Sequence, residues 1–417
     1  MEKRKEVIWL VNPYCMPPKF EPRIQTIKRA EYLNKCGYQA IIVSSNLLHN
    51  SKQTIYSSKR WLFKAKYEGI DFIHICTLSY QMSFIRRLLS HIIFYLKLIL
   101  FWHKIDKPDH VVFTAVVPFN LPALMYARFK RIKVTLDVVD LWPESFVAYG
   151  IISHKSILLP FLYRLEALTY NLSPTIVHTM SGFNEYVSRR NSFMNFFKID
   201  TTKKIVEIPN GVDLTDFDRN LKKFDAVPIE NLLETTKIVL YIGSIRRANG
   251  LHSLIEAFGH LETVDCVLHI YGDGDEREEL MKFIEENNIN NVEFKDKWIP
   301  LERVPSLLNR ADVNILNYAN DGVLKYGGSQ SKSYQYYAAG KPICSNVESY
   351  NDMINRYSIG ISKTFHDSKE YADAILKLLT LSASELEVIQ ENSRNLARNF
   401  DYSLLTNTFI NKCLLED

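Results

Sequence analysis

Short apolar runs recur along this chain, separated by amphipathic stretches of helical length. In the first half the runs are EVIWLV (6–11), QAIIVS (39–44), DFIHIC (71–76), HVVFTAV (110–116), KVTLDV (133–138), TIVHTM (175–180) and KIVEI (204–208). In the second half they are KIVLYIG (237–243), CVLHIYG (266–272), NVEF (291–294), DVNIL (312–316), PICS (342–345) and a weak IGI (359–361). Strand–helix alternation of this kind predicts parallel sheets covered by helices. Its appearance twice, in a chain of 417 residues, predicts two doubly wound α/β domains in tandem. The polar segment 209–236 carries no strong period and reads as the linker region.

Apolar residues make up 47% and charged residues 24% of the chain, a globular composition. The six cysteines, Cys15, Cys36, Cys76, Cys266, Cys344 and Cys413, form no CxxC pair and have no histidine cluster beside them. That argues against a zinc site or a disulfide framework and fits a reducing compartment. The opening MEKRKEVIWLVNP reads as a first strand, its apolar run being too short for a signal peptide. Charge is divided unevenly. Residues 1–210 hold 29 Lys and Arg against 15 Asp and Glu, and residues 211–417 hold 22 against 32. A basic first half suggests a domain facing something anionic, either nucleic acid or an anionic membrane surface. No basic motif interleaved with stacking aromatics supports nucleic acid.

The segment SFIRRLLSHIIFYLKLILFWHK (83–104) is apolar nearly all round, except for a stripe through Arg86, Arg87, Ser90, His91 and Lys97. Lys97 breaks its uncharged run, which argues against a spanning helix. Two readings are open: a helix buried against its sheet, or a basic helix lying on a bilayer surface.

Chemistry concentrates at strand ends. YIGSIRRANGL (241–251) is a strand, a tight loop and a helix start, with Gly243, Ser244, Arg246 and Arg247 in the loop. A helix N-terminus with two arginines suits a pyrophosphate, although two solvated arginines on an ordinary loop fit the same pattern. The loop is not GxGxxG, so a nicotinamide or flavin fingerprint is absent. In YGDGDEREEL (271–280), Gly272 and Gly274 permit a sharp turn with close backbone approach. Asp273 and Asp275 read as caps of the following helix rather than as metal ligands. In SQSKSYQYYAAGKP (329–342), Lys332 and Gln335 share one helix face before Gly340 stops the helix. A cation and an amide there suit a phosphate and a ribose diol, or are simply solvated. In TLDVVDLWPESF (135–146), Asp137 and Asp140 lie at a strand's carboxyl edge, where acids can meet a substrate hydroxyl. Glu144 reads as a first-turn acid and Trp142 as core. The proline-rich loop 11–23 follows the first strand, and its Arg23 could meet an anion.

Together DLWPES (140–145), IPNGVD (208–213), LYIGSIRRANGLHSLIEAF (240–258), YGDGDEREEL (271–280) and SKSYQYYAAGKP (331–342) resemble the family-4 glycosyltransferases. The branch they resemble builds bacterial surface polysaccharides. The resemblance implies the GT-B fold, two Rossmann-like domains facing an inter-domain cleft. It implies an acceptor-binding, membrane-facing domain over 1–215, a nucleotide-sugar domain over 216–399, and a helix over 400–417 crossing back to the first domain. It implies transfer from a nucleotide-sugar donor, a UDP-sugar, to a lipid-linked polyprenyl-diphosphate glycan with retention and no metal cofactor. The expected setting is cytoplasmic, at the inner face of the membrane. By the resemblance Arg247 and Lys332 hold the leaving diphosphate, Asp140 orients the acceptor, and Gln335 contacts the ribose. Trp298 and Ile299 lie by the base, and Gly327, Gly328 and Ser329 hold the sugar through loop backbone. The chain departs from the family pattern in three places. Gln335 stands where most members have Glu. Gly327 stands where an earlier Glu is usual. Ser244 and Asn249 stand where the broader family has Arg and Lys. These departures motivate an alternative, a catalytically silent nucleotide-binding homologue acting as a scaffold.

Overall fold

The computed structural model describes residues 4–20, 24–48, 53–56, 61–80, 83–194, 196–224, 235–319 and 323–416. The strands in chain order are β1 Val7–Val11, β2 Gln39–Ser45, β3 Leu62–Tyr67, β4 Ile70–Ile75, β5 His110–Thr114, β6 Lys133–Val138, β7 Thr175–His178, β8 Lys204–Glu207, β9 Lys237–Ile242, β10 Cys266–Tyr271, β11 Val292–Phe294, β12 Val313–Leu316, β13 Ile343–Ser345 and β14 Gly360–Ser362. The helices are α1 Gln25–Lys35, α2 Phe84–Leu100, α3 Leu121–Phe129, α4 Glu144–Ala148, α5 Leu159–Leu172, α6 Phe183–Phe193, α7 Leu214–Phe224, α8 Leu251–Gly259, α9 Arg277–Glu286, α10 Val304–Arg310, α11 Ser331–Ala339, α12 Met353–Arg356, α13 Ser368–Leu379, α14 Ala383–Arg398 and α15 Tyr402–Phe409. The chain divides into unit 1, residues 1–209 with 402–417, and unit 2, residues 210–401.

Unit 1 is built on a sheet of order β3-β4-β2-β1-β5-β6-β7-β8. All pairs are parallel except β3 on β4. The order reverses between β1 and β5, so the loops after these strands open a crevice at the carboxyl edge. β1 is buried along its whole length, which is why it reads as an unbroken apolar run. Its Ile8 and Leu10 pack with Ile42, Phe72 and Val112, and α1 covers them with Ile27, Ala30 and Leu33. The C-terminal segment completes this core. Tyr402, Leu405 and Phe409 of α15 join it, followed by Ile410, Cys413 and Leu414 of a π-helical turn.

Unit 2 has the order β11-β10-β9-β12-β13-β14, all parallel. Counted within the unit this is 3-2-1-4-5-6, the dinucleotide-binding order, with its switch point between β9 and β12. β9 sends Val239 and Tyr241 into a core with α8 and α13, and Leu240 into a second core with α10, α11 and α14. Both faces of the sheet are therefore covered.

Two segments differ from the sequence reading. β3 was not expected. Its residues are half-buried or exposed in alternation, because it is an antiparallel edge strand with one wet face. The linker region contains α7, whose Leu214, Phe217 and Leu221 recur at helical spacing and pack against the core around Val304 and Leu308. Residues 225–234 of that region lie outside the described residues.

Phe409 is fully buried in unit 1. Phe409→Ala should lower stability by about 3–5 kcal/mol, read as a shifted midpoint in urea unfolding followed by circular dichroism.

Candidate functional site

The carboxyl edge of unit 2 is organised by two glycines. A Cβ at Gly272 would stand 1.9 Å from the Gly243 carbonyl oxygen, and one at Gly274 would stand 1.9 Å from that of Ile245. Gly272 also has φ +132°, a conformation that side-chain-bearing residues rarely adopt. Backbone bonds lock the contact: Gly243 N–H donates to the Tyr271 carbonyl and Ile245 N–H to that of Asp273, each at 3.0 Å. The close approach expected at these glycines is thus made by the neighbouring loop. Arg277 tightens the turn from below. It is buried, and it donates to the Gly272 and Lys295 carbonyls at 2.7 and 2.8 Å.

Asn317, at the end of β12, fixes the other side of the switch point. Its amide donates to the carbonyls of Asn249 and Gly250, and its oxygen accepts from Tyr371. Gly250, with φ +56°, precedes α8 without any side-chain cap. The orphan N–H groups of the first turn of α8 therefore have no side-chain acceptor on the cap residue. Ser244 donates to Asn249 Oδ1 at 2.9 Å across the same loop.

Lys332 stands in the first turn of α11, against this loop. Its Nζ lies 4.9 Å from the Tyr241 ring centre and 4.8 Å from that of Tyr318. A Cβ built on Gly243 would be 3.6 Å from it. Among the described residues Lys332 has no carboxylate partner, and burial pushes its ammonium down to about 7. Gln335 is half-buried one turn further along α11. Ser329, just before the helix, is held from two sides. Its hydroxyl bonds the Tyr334 hydroxyl at 2.8 Å and accepts from Asn210 N–H at 2.6 Å. The Asn-Gly-Val-Asp run thus acts as a clamp on the loop leading into α11. Gly327 has φ +87° and Gly328 sits so close to Leu324 that a Cβ would lie 2.5 Å from it.

The remaining unit 2 candidates lie on loops and helices of the unit. Arg246 and Arg247 are exposed on the loop after β9 and have no ion pair among the described residues. Trp298 is 67% exposed and Ile299 half-buried on the loop after β11. The capping expectation for Asp273 and Asp275 is corrected. α9 begins at Arg277 with Glu276 as its cap residue, no side-chain cap bond forms, and both aspartates are exposed. The other Asp-x-Asp pair is engaged structurally. Asp216 pairs with Arg219 at 2.7 Å, and Asp218 accepts two bonds from Arg394 at 2.9 and 2.8 Å.

In unit 1 the acceptor expectation for Asp137 is also corrected. Its side chain is buried and ion-paired with buried Arg29 at 2.5 Å, while Arg29 stacks over Phe409. A carboxylate so engaged holds α1 to the sheet and faces no substrate. Asp140 is exposed two residues beyond β6. Glu144 accepts from Tyr163 at 2.6 Å, and Trp142 is buried. Arg23 lies outside the described residues. The loop after β1 carries a group that sequence reading missed. The Tyr14 hydroxyl bonds His91 Nε2 at 2.7 Å and accepts from Arg87 at 3.0 Å. Burial, with Arg87 beside it, pushes His91 down to about 3 and keeps it neutral.

Comparison with known proteins bears on the fold and on the class of unit 2. Residues 223–396 match the family model described as glycosyl transferases group 1. Unit 2 carries a glycosyl transferases group 1 domain. Among curated proteins the chain is 22% identical over 346 residues to WcaI of Escherichia coli (strain K12), named as a colanic acid biosynthesis glycosyl transferase. That match covers 79% of this chain and 80% of the relative. Among solved structures, an E. coli trehalose-6-phosphate structure bound with UDP-2-fluoro glucose superposes with TM-score 0.70 at 11% identity. It covers 97% of this chain and 98% of that one. WaaG, a glycosyltransferase involved in lipopolysaccharide biosynthesis, gives TM-score 0.64 at 15% identity over 98% and 99%. A glycosyltransferase from Rickettsia africae gives 0.62 at 18% over 98% of each chain. The two α/β units thus have the GT-B type of fold, and the transferase class rests on the group 1 domain.

Within unit 2 Asn210, Arg277 and Asn317 are polar residues used for architecture, and no spacing rule marks them in the sequence. Lys332 gives a pH signature. In the unfolded chain a lysine titrates near ~10.4, above its value in the fold. Between the two values the unfolded state holds more protons, so this group makes stability rise with pH. The urea midpoint of wild type should therefore gain more from pH 7 to pH 9 than that of Lys332→Met, and equal gains would overturn the lowered Lys332 ammonium.

Proposed function

We propose that the chain transfers a sugar from a UDP-sugar to a lipid-linked, polyprenyl-diphosphate glycan in surface-polysaccharide assembly, with retention at the anomeric carbon. The observation that carries this is the Lys332 ammonium, without a carboxylate partner among the described residues, against the β9 loop at the switch point of unit 2. A desolvated cation without a partner favours an anion that arrives with its own charge. The donor diphosphate supplies that anion. Arg247, exposed on the adjoining loop, adds the second cation, and the bare N-terminus of α8 adds backbone N–H groups. With these charges in place the leaving group needs no metal. Gln335 hydrogen-bonds the ribose diol, and Trp298 offers an aromatic face near the base.

In the proposed step the acceptor oxygen bonds to the anomeric carbon on the face the phosphate leaves. The carbon–oxygen bond to phosphate breaks, its electron pair stays on the diphosphate, and the hydroxyl proton passes to that departing phosphate oxygen. Asp140 orients the acceptor. The silent-scaffold alternative rests on Gln335 and Gly327, which stand where the resembled family carries acids. Steady-state turnover of any UDP-sugar excludes it.

A membrane-bound acceptor fits the surface of unit 1. α2 turns its polar stripe inward apart from Arg86: His91 and Arg87 meet Tyr14, and Lys97 donates to the Cys76 carbonyl at 2.7 Å. Ile85, Leu89, Ile92, Leu96 and Leu100 are left exposed along one face. α2 packs beside α3 and α3 beside α5, which add exposed Met125, Phe129 and Phe161. Exposed Arg86, Arg128 and Arg164 on the same helices suit anionic headgroups. No helix among the described residues is long and apolar enough to cross a membrane, and the proposed contact is peripheral.

Three experiments test these assignments. UDP should raise the melting temperature of wild type more than ADP, GDP or CMP does, and Arg247→Ala and Lys332→Ala should each remove that rise. At pH 8, UDP binding should take up protons at Lys332, seen as a dependence of calorimetric heat on buffer ionisation enthalpy that Lys332→Met lacks. For the surface, flotation with vesicles containing phosphatidylglycerol should carry wild type upward, and Ile85→Gln with Leu96→Gln should lower the bound fraction several-fold at unchanged melting temperature.

A further inference from the structure

Unit 1 has a second cavity-bearing edge. At the amino-terminal edge of its sheet, opposite the strand ends described above, lies an open cavity of about 550 Å³. The first residues of β5, β6, β7 and β8 line it, as do the end of α3 and the C-terminal turn. The lining is strongly basic. Arg128, Arg131, Lys133 and Lys204 face one carboxylate, Glu416, which pairs with Lys204 at 3.3 Å. Arg128 and Arg131 have no ion pair among the described residues. Cations crowd one another here. Lys203, beside the cavity, is held below the usual lysine range by burial and in part by Arg128.

A second observation points to a ligand. His110, at the first position of β5, lines the cavity and is 5% exposed. Its Nε2 bonds Thr135 Oγ1 at 2.9 Å, while its Nδ1 is buried without a partner. The ring thus brings to the cavity wall a buried nitrogen whose hydrogen-bonding capacity is unmet. Burial pushes the ring down to about 4, so it is neutral at physiological pH. Two arginines without an ion pair among the described residues, beside a buried polar group that lacks a partner, suit a tetrahedral oxyanion.

We propose that this cavity is an anion-binding site of unit 1 for a phosphate group, held by Arg128, Arg131, Lys133 and His110. The site lies at the sheet edge away from Asp140 and does not depend on the donor reading of unit 2. The phosphate belongs either to a soluble phosphorylated compound or to a lipid headgroup. The second source is suggested by Phe129, 80% exposed on α3 between Arg128 and Arg131.

Hydrogen exchange of the full chain, read by mass spectrometry, tests the proposal with two probes. Inorganic pyrophosphate stands for the soluble source, and phosphatidylcholine vesicles with and without phosphatidylglycerol stand for the lipid. Arg128→Gln with Arg131→Gly removes two of the cations. Arg131 has φ +56°, so glycine relieves that position, and the variant should keep its urea midpoint. Pyrophosphate should slow exchange in 128–134 and 410–416. The double variant should weaken this protection about tenfold in probe concentration, and Arg247→Ala should leave it intact. Protection of the same segments by the phosphatidylglycerol vesicles alone, lost in the double variant, would support the site and assign it to a headgroup. Protection by neither probe, or protection indifferent to the double variant, overturns it.

Discussion

Unit 2 depends on two backbone contacts without side chains between them. The turn after β10 presses on the loop after β9 so tightly that Gly272 and Gly274 leave no room for a Cβ. The hydrogen bonds from Gly243 and Ile245 then run loop to loop as a continuation of the sheet. The loop after β9 is thereby set in one conformation, and it in turn presents Gly243 to Lys332. Asn317 fixes the far end of the same loop through two carbonyls, which positions the start of α8. A binding surface on loops needs such bracing, because only a preorganised set of donors binds an anion without losing the gain to ordering.

Lys332 is unusual among the cations of this chain in how its charge is met. Arg190 is fully buried but pairs with Glu166 at 3.1 Å, within a network that includes Tyr186. Buried Arg29 pairs with Asp137, and Arg394 with Asp218. Each of these has an opposite charge that repays part of its desolvation. Lys332 has two tyrosine rings instead, and ring faces compensate an ammonium only partly. The lowered ammonium is the consequence. In the proposed function an arriving diphosphate restores the full charge and gains from it, which couples binding and protonation at one atom.

The sequence made most of the sheet legible, because strands covered on both faces must be apolar throughout. β1, β2, β5 and β6 are buried nearly along their length and read as plain runs. β3 escaped because an edge strand satisfies only one face. α7 was passed over because its Leu214, Phe217 and Leu221 sit among acids and lysines that set the composition of the segment. Of the site, Gly243, Lys332 and Gln335 could be read as candidates because a glycine turn or a charged helix start has few uses. Asp137 looked the same as Asp140 in the sequence. Only the fold shows that Arg29, more than a hundred residues away, claims the first. Arg277, Asn210 and Asn317 were invisible for the same reason, since each satisfies backbone groups that come together only in the folded unit.

α2 carries the deepest difference between pattern and placement. A helix with a polar stripe and an apolar remainder would ordinarily bury the apolar part. Here the polar stripe has partners inside the unit, at Tyr14 and at the Cys76 carbonyl, and turning it outward would orphan them. Phe94, Tyr95 and Leu98 go inward with it and supply the packing. The apolar residues at Ile85, Leu89, Ile92, Leu96 and Leu100 are then left outside at helical spacing. In water such a face carries a hydrophobic cost that grows with its area. The cost is removed where the surrounding medium is itself apolar on one side and anionic at its rim. The polar contacts that hold α2 in place and the apolar face it shows outward are therefore one choice of orientation, and the proposed contact with a bilayer surface satisfies both.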